Sequence, residues 1–393
     1  MFEAFKEATI GYQALNLHDD GAVRSVLSPE NFATARAEIT TWDGYSPTPL
    51  VQLDALSKSV GVSGIYYKDE GQRFGLGSFK ALGGAYAGLR VLARELARQL
   101  GHEVTLEDIH SGRYATQVSD ITLCSATDGN HGKSLAWGAQ RFGCKCKIYI
   151  HAEVSEGRAK ALRQYGADVI RVEGDYDDSV NIAREQANEH GWFVVSDTSW
   201  EGYTEPPRDV MAGYGVLVDE IATQIDAPPT HVFVQGGVGG LAAAVFARLS
   251  QIYGDDAPRM IVVEPELAAC LFASAKVGTP RSVNIEEETW MGGLSCGEPS
   301  EMAWQVLRET ASDFVTVPES LVKPSLKILA EPLGGDAPIA AGESAIAGLA
   351  ALLAIMQNTK RATALGLSEQ SRVLLIGSEG ITDSETYAAV MDA

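Results

Sequence analysis

The stretch His231-Val-Phe-Val-Gln-Gly-Gly-Val-Gly-Gly-Leu-Ala-Ala-Ala-Val245 decides the fold. A short β-branched run meets a glycine-rich turn, and the turn opens an alanine-rich helical stretch. Glycines permit positive φ and a close approach to the backbone. The amides at the start of the following helix point outward and favour an anion, most naturally a phosphate. Tight strand–helix packing alone is the plainer alternative. Gly237-Val-Gly-Gly-Leu-Ala242 also fits G-x-G-x-x-A, and Glu264 ends the next strand where a ribose-binding acid would stand. A nicotinamide cofactor therefore competes with other phosphates at this point.

Outward from this stretch the same alternation recurs. Ile121–Ser125, Cys146–His151, Asp168–Val172 and Trp192–Ser196 read as strands, with helices over His131–Phe142, Ser155–Tyr165 and Tyr176–His190. Later strands are expected at His231–Gln235, Arg259–Val263, Phe314–Val317 and Arg372–Ile376. Helices follow at Leu241–Tyr253, Glu301–Thr310, Pro318–Ala330, Glu343–Met356 and Asp383–Met391. Strands alternating with helices predict an α/β protein: two three-layer αβα lobes with mostly parallel sheets. The Asp226-Ala-Pro-Pro-Thr230 loop lies near the expected boundary between lobes. The first hundred residues are less regular.

Composition narrows the function. The 393 residues carry 31 Lys and Arg against 52 Asp and Glu, a formal charge of −21. Such an acidic chain is a poor partner for nucleic acid or an anionic membrane surface. The longest apolar stretch, Ala345–Met356, is too short to span a bilayer. The start, MFEAFKEATIGY, has no basic region followed by an apolar one, so no secretory signal is expected. Five cysteines, an odd number, suit a reducing cytoplasm. No HxxxH, CxxC or CxxH pattern occurs, so no metal site is expected.

Four further motifs carry chemistry. Lys68-Asp-Glu-Gly-Gln-Arg-Phe-Gly-Leu-Gly-Ser-Phe-Lys80 places a lysine after a Gly/Ser-rich loop, at the start of an apolar helix. Lysine there can act as an amine nucleophile or base, although most lysines are surface charges. Ser125-Ala-Thr-Asp-Gly-Asn-His-Gly-Lys133 sits between a strand end and a helix start. Its open amides suit a carboxylate, or it is simply a capped turn. Ser125, Thr127 and Asp128 are candidate substrate contacts, and Asn130 a hydrogen-bonding amide. Ser196-Asp-Thr-Ser-Trp-Glu-Gly-Tyr203 sets Asp197 at a strand end, as a site residue or a turn former. Ile376-Gly-Ser-Glu-Gly-Ile-Thr-Asp383 offers Ser378 to a ligand ring or to its own backbone.

In their order, these motifs resemble the fold type II pyridoxal-phosphate enzymes, the tryptophan-synthase β-like group. The resemblance covers nearly the whole chain, from Thr48-Pro-Leu50 to the late serine loop. Within the group, Ala126-Thr-Asp-Gly-Asn-His-Gly132, Asp197-Thr-Ser-Trp-Glu-Gly-Tyr-Thr204, Gly292-Gly-Leu-Ser-Cys-Gly-Glu-Pro299 and Gly342-Glu-Ser344 are similar to the diaminopropionate ammonia-lyases. Gly77-Ser78 departs from the Asn-Ala expected in nearer relatives. The resemblance implies a large coenzyme domain from residues 1–90 and 215–393, and a small domain from 91–214. It implies pyridoxal 5'-phosphate in place of a nicotinamide, because the glycine fingerprint falls past the midpoint of the chain. Lys80 would then hold the coenzyme aldehyde. Gly236, Gly237, Val238, Gly239 and Gly240 would cradle its phosphate. Asn130 would meet the 3-hydroxyl and Ser378 the ring nitrogen. The implied reaction is α,β-elimination from D- or L-2,3-diaminopropionate to pyruvate and two ammonia. Lys80 and Asp128 would be the bases on opposite faces, and Asp197 would help hold the leaving ammonium. A serine or threonine dehydratase, another β-substituted amino-acid lyase and a non-catalytic amino-acid binder are the competing readings. A cytoplasmic homodimer acting on a small amino acid completes the expectation. Cys270 and Cys296 would approach one another near the entrance, or remain two ordinary buried thiols.

Overall fold

The computed structural model describes residues 2–16, 21–127, 129–174, 176–332 and 334–392. Among them run strands β1 Gly11–Ala14, β2 Leu50–Gln52, β3 Gly64–Asp69, β4 Thr122–Ala126, β5 Lys145–Ile150 and β6 Asp168–Arg171. They continue with β7 Phe193–Val194, β8 His231–Gln235, β9 Arg259–Pro265, β10 Asp313–Val317 and β11 Arg372–Gly377. The chain divides into two units. The first is Met1–Phe32, Ser46–Phe79 and Leu217–Ala393; the second is Ala33–Tyr45 and Lys80–Val216.

The first unit holds a seven-stranded sheet in the order β1-β10-β9-β8-β11-β3-β2. Its five central strands are parallel, while β1 and β2 pair antiparallel at the two edges. β8, β10 and most of β11 are buried along their length. That follows from helices covering both faces of a parallel sheet, which makes its strands read as unbroken apolar runs. The edge strand β1 instead alternates half-buried with exposed positions. The all-apolar helix Ala347–Met356 packs in this core with Phe233, Ile261, Val315 and Leu375.

The second unit holds a parallel four-stranded sheet in the order β6-β5-β4-β7. Here the helix Lys80–Leu100 lies against the helix Asn130–Phe142 at glycine contacts. A β-carbon on Gly138 would stand 2.7 Å from Ala85 Cα, and one on Gly84 would stand 2.8 Å from Ser134 Oγ. On another face, a β-carbon on Gly213 would fall 2.3 Å from the Leu82 carbonyl oxygen. The run Ala81-Leu-Gly-Gly-Ala85 is thus a packing device as well as a helix start.

The division differs from the sequence expectation in several places. Residues 80–90 belong to the second unit, because the 21-residue helix from Lys80 is one continuous packed rod. Residues 33–45 join it too, with Trp42 edge-on to Trp137 and Phe142. The Asp226–Thr230 loop falls inside the first unit, not at its border. The expected strands and helices recur within a few residues, although Trp192–Ser196 shortens to β7. β1, β2, β3 and the helix Glu205–Gln224 were not anticipated.

Both sheets gather their functional loops by parallelism. Neighbouring parallel strands end at the same sheet edge, so the loops after them converge there. In the first unit these are the loops after β8, β9 and β11. In the second they are the loops after β4 and β7.

Candidate active site

In the first unit, β8 ends at Gln235 and the chain turns through Gly236–Gly239 into the helix Gly240–Tyr253. Gly239 takes a left-handed conformation, φ 99°, which only glycine adopts at little cost. Gly236 has no room for a side chain: a β-carbon would stand 2.8 Å from Glu264 Cγ. Among the described residues, the amides of Gly237, Val238 and Gly239 donate to no protein acceptor. Buried or half-buried amides normally find an acceptor. These three, at the N-terminus of a 14-residue helix, are a fitting cradle for a phosphate.

Glu264 is fully buried under this turn. Its carboxyl oxygens accept from the amides of Leu271 at 2.9 Å and Phe272 at 2.7 Å, at the start of the helix Cys270–Val277. It is therefore committed to a helix start and not presented to a ribose, which removes the basis of the nicotinamide alternative. Burial raises its pKa, against the pull of those two amides, to about 8. At neutral pH the group is largely uncharged and adds little repulsion beneath a bound phosphate. Cys270 and Cys296 flank the same turn. Cys270 Sγ lies 3.6 Å from the Gly237 carbonyl oxygen, and a β-carbon on Gly237 would lie 3.2 Å from Cys296 Sγ. Cys270 is buried and Cys296 half-buried, and the two are not joined in a disulfide.

Ser378 follows β11 and is buried. Its carbonyl accepts from the Phe79 amide at 3.0 Å, and the Gly380 amide donates to the Gly77 carbonyl at 2.9 Å. The segment leading into Lys80 is thereby pinned to the loop that carries Ser378. Farther back, Lys68, Glu70, Arg73 and Glu220 form a closed buried set that anchors the start of the same segment.

In the second unit, Lys80 is the first residue of its helix. Its Nζ donates to Asp197 Oδ2, the two side chains being 23 % and 21 % exposed. Asp197 stands in a loop folded back on itself. Tyr203 Oη accepts from the Ser196 amide and donates to the Val194 carbonyl, both at 2.9 Å, and its ring stacks on Trp200. Burial pushes the Asp197 carboxyl up, but the Lys80 ammonium that bonds it outweighs burial and holds the group well below its usual range. Asp197 thus stays anionic and suits the holding of a cation rather than the taking of a proton.

His131, from the Asn-His-Gly motif, is buried behind this pair. Its Nε2 lies 2.8 Å from the Val195 carbonyl, which can only accept, so Nε2 carries the proton. Nδ1 is left as a lone pair without a hydrogen-bond partner among the described residues. Burial holds His131 below its ordinary pKa, so it is neutral at pH 7.

The remaining expected residues are placed as follows. Asn130 begins the helix Asn130–Phe142. Ser125 lies inside β4 and is buried. The Thr127 amide donates to the Tyr149 carbonyl at 3.0 Å, and Thr127 Oγ1 accepts weakly from the Gly129 amide at 3.4 Å. Asp128 lies outside the described residues. Sequence reasoning gave no role to His131, Tyr203 or Gln235. All three stood inside quoted motifs, and only their partners in space reveal what they do.

The comparisons with known proteins bear on the family of the chain. Residues 41–379 match the family described as pyridoxal-phosphate dependent enzyme. The diaminopropionate ammonia-lyase of Escherichia coli K12 is 37% identical over 355 residues, covering 88% of each chain. The crystal structure of the holo form of the E. coli enzyme superposes with a TM-score of 0.87 at 34% identity, covering 98% of this chain and 97% of that one. A structure of the E. coli enzyme with an aminoacrylate-PLP azomethine reaction intermediate matches over the same shares, with a TM-score of 0.86 at 34% identity.

Proposed function

The chain belongs to the fold type II pyridoxal-phosphate-dependent enzymes, and within them to the diaminopropionate ammonia-lyases; from that premise we propose that it eliminates ammonia from 2,3-diaminopropionate, yielding pyruvate and a second ammonia. Its cofactor is pyridoxal 5'-phosphate, and it is a carbon–nitrogen lyase. The open amides of Gly237, Val238 and Gly239, with Gly236 and Gly240 in the same turn, would hold the cofactor phosphate. Lys80 would carry its aldehyde carbon, Asn130 its 3-hydroxyl and Ser378 its ring nitrogen. When bound, the cofactor acidifies the Cα proton of an attached amino acid and accepts the electrons that expel a β-substituent.

The protein's own groups do the rest. Lys80 Nζ, once released from the cofactor, takes the Cα proton of the L-isomer. Asp128 takes it from the opposite face in the D-isomer, with Ser125 and Thr127 lining the substrate. Asp197 holds the β-amino group as an ammonium, so that it departs as neutral ammonia when the carbon–nitrogen bond breaks. The observation that carries this reading is the Lys80–Asp197 pair: an anion already shaped around an ammonium. A hydroxyl leaving group, as in serine or threonine, gains less from such a carboxylate, which places the diamine ahead of the dehydratase reading.

The test is direct. Borohydride reduction of the yellow holoenzyme and peptide mapping should label Lys80. Pyruvate release should be faster from D- or L-2,3-diaminopropionate than from serine or threonine. Label on another lysine, or preference for the hydroxy amino acids, overturns the assignment. We carry over a homodimer from the family resemblance and a cytoplasmic location from the cysteine usage, to be checked by sedimentation and fractionation. Among the described residues no helix is long and apolar enough to cross a membrane.

A further inference from the structure

Gln235 closes β8, one residue before the phosphate turn, and is buried. Its side-chain amide reaches across to the neighbouring parallel strand β11. Nε2 lies 2.5 Å from the Ile376 carbonyl oxygen and 3.4 Å from Ser378 Oγ. A carbonyl only accepts, so the amide orientation is fixed by chemistry: nitrogen toward Ile376 and Ser378, oxygen away. The oxygen, Oε1, is buried without a hydrogen-bond partner among the described residues. Leaving a buried acceptor unpaired is destabilising, because its desolvation is not repaid. A Leu or Met would fill this strand end without that cost, so the amide nitrogen needs a purpose.

We propose that Gln235 is a positioning residue for Ser378. Its Nε2 occupies a lone pair of the Ser378 hydroxyl and leaves the hydroxyl proton to be donated onward. The inference rests on the reading that Ser378 meets the cofactor ring nitrogen. With one of its two lone pairs taken, the serine is biased toward donating, which favours an acceptor opposite it and so an unprotonated ring nitrogen. An unprotonated ring is a weaker electron sink, which disfavours the longer-lived carbanion that leads to transamination. Gln235 would therefore set reaction specificity without touching substrate or cofactor.

Two variants and one control test this. Gln235→Met removes the donor. Gln235→Glu is nearly isosteric; buried, it would be protonated, donate to Ile376 and accept from Ser378, turning the serine lone pair toward the ring. Each protein is purified as holoenzyme with 15N-labelled pyridoxal phosphate, and the ring-nitrogen resonance is followed with pH. The native protein should keep an unprotonated resonance across pH 6–9. Gln235→Glu should shift it toward the protonated position, and Gln235→Met should bring its titration into that pH range. The share of turnovers that ends in pyridoxamine phosphate should rise about tenfold in Gln235→Glu, the scale of one hydrogen bond. Native-like resonances in both variants, beside a Ser378→Ala control that shifts, overturn the role of Gln235 and leave Ser378 in place. A Ser378→Ala resonance like the native one overturns the Ser378 reading itself, and this inference with it. Should Gln235→Glu not fold, Gln235→Met alone decides by the same resonance.

Discussion

Two lysines, twelve residues apart in the chain, meet carboxylates in opposite ways. Lys68, in the first unit, is completely buried. Its Nζ donates to Glu220 and to the Thr48 carbonyl, both at 2.7 Å, and to Gln224 at 2.9 Å. Arg73 completes the set, with two bonds each to Glu70 and Glu220 and one to Thr48. Two cations face two anions, all 0–4 % exposed. Lys80, in the second unit, shares Asp197 at about one-fifth exposure, beside a histidine with an unused lone pair. The first set is closed and has nothing left to offer a ligand. The second keeps solvent access and a spare acceptor, which chemistry requires. Buried charge by itself therefore marks structure here, and partial exposure with an unfilled valence marks the site.

Substitutions should separate the two sets. Lys80→Ala should abolish borohydride-stable cofactor and lower turnover by about 10³-fold or more, the upper range for a lost base and nucleophile. Its melting temperature should fall only by the share that the partly exposed Asp197 pair supplies; a fall like that of Glu220→Ala would make Lys80 a structural residue like Lys68. Glu220→Ala should do the reverse, costing roughly 3–5 kcal/mol in denaturant unfolding by stranding two buried cations. Asp197→Asn should lower kcat/KM for diaminopropionate by about 10²-fold, as expected when an electrostatic partner is lost. It should affect serine turnover less, and an equal loss on both substrates would sink the ammonium-holding role. Asp197, held below the usual 3.8, contributes stability above about pH 4 that is lost on acidification through its lower folded value. That acid limb should shrink in the Asn variant.

The last expected effect is one of pH and belongs to Glu264. Its folded pKa is raised from 4.5 to about 8. The folded state thus keeps a proton that the unfolded chain releases, so this stabilisation is full below about pH 4.5 and is lost as pH rises to about 8. Melting curves from pH 5 to 9 should show the decline, and Glu264→Gln should flatten it. Cofactor affinity should weaken over the same rise, as a carboxylate forms beneath the phosphate turn. An unchanged slope in Glu264→Gln would assign the decline elsewhere.

Much of this was legible in the chain, for local reasons. The glycine turn after β8 and the central parallel strands follow from runs of apolar residues and from the turn chemistry beside them. Lys80 stood out because glycine and serine precede it. The edge strands β1 and β2 escaped notice because each has only three or four residues and is partly exposed. The helix Glu205–Gln224 was hidden by Pro206 and Pro207, which suit a first helical turn but read as a loop, and by Gly213 and Gly215 within it. Pairings were beyond reach. Gln235 meets Ser378 across 143 residues, and Lys68 meets Glu220 across 152, because strand order and packing bring them together. The surroundings of Glu264 were hidden in the same way: its position at a strand end was plain, but the helix start that occupies it was not.

The glycine contacts along the helix that begins with Lys80 carry a practical consequence. Replacing helical glycines by alanine is a standard route to a hardier protein, gaining about 0.4–1 kcal/mol where the new methyl fits. At Gly83, Gly84, Gly138 and Gly213 the methyl meets a neighbour at 2.3–2.8 Å, so the same exchange wedges the helices apart. Anyone engineering this protein for heat tolerance should leave those four alone, since the first turn they steady is the one that bears the reactive amine.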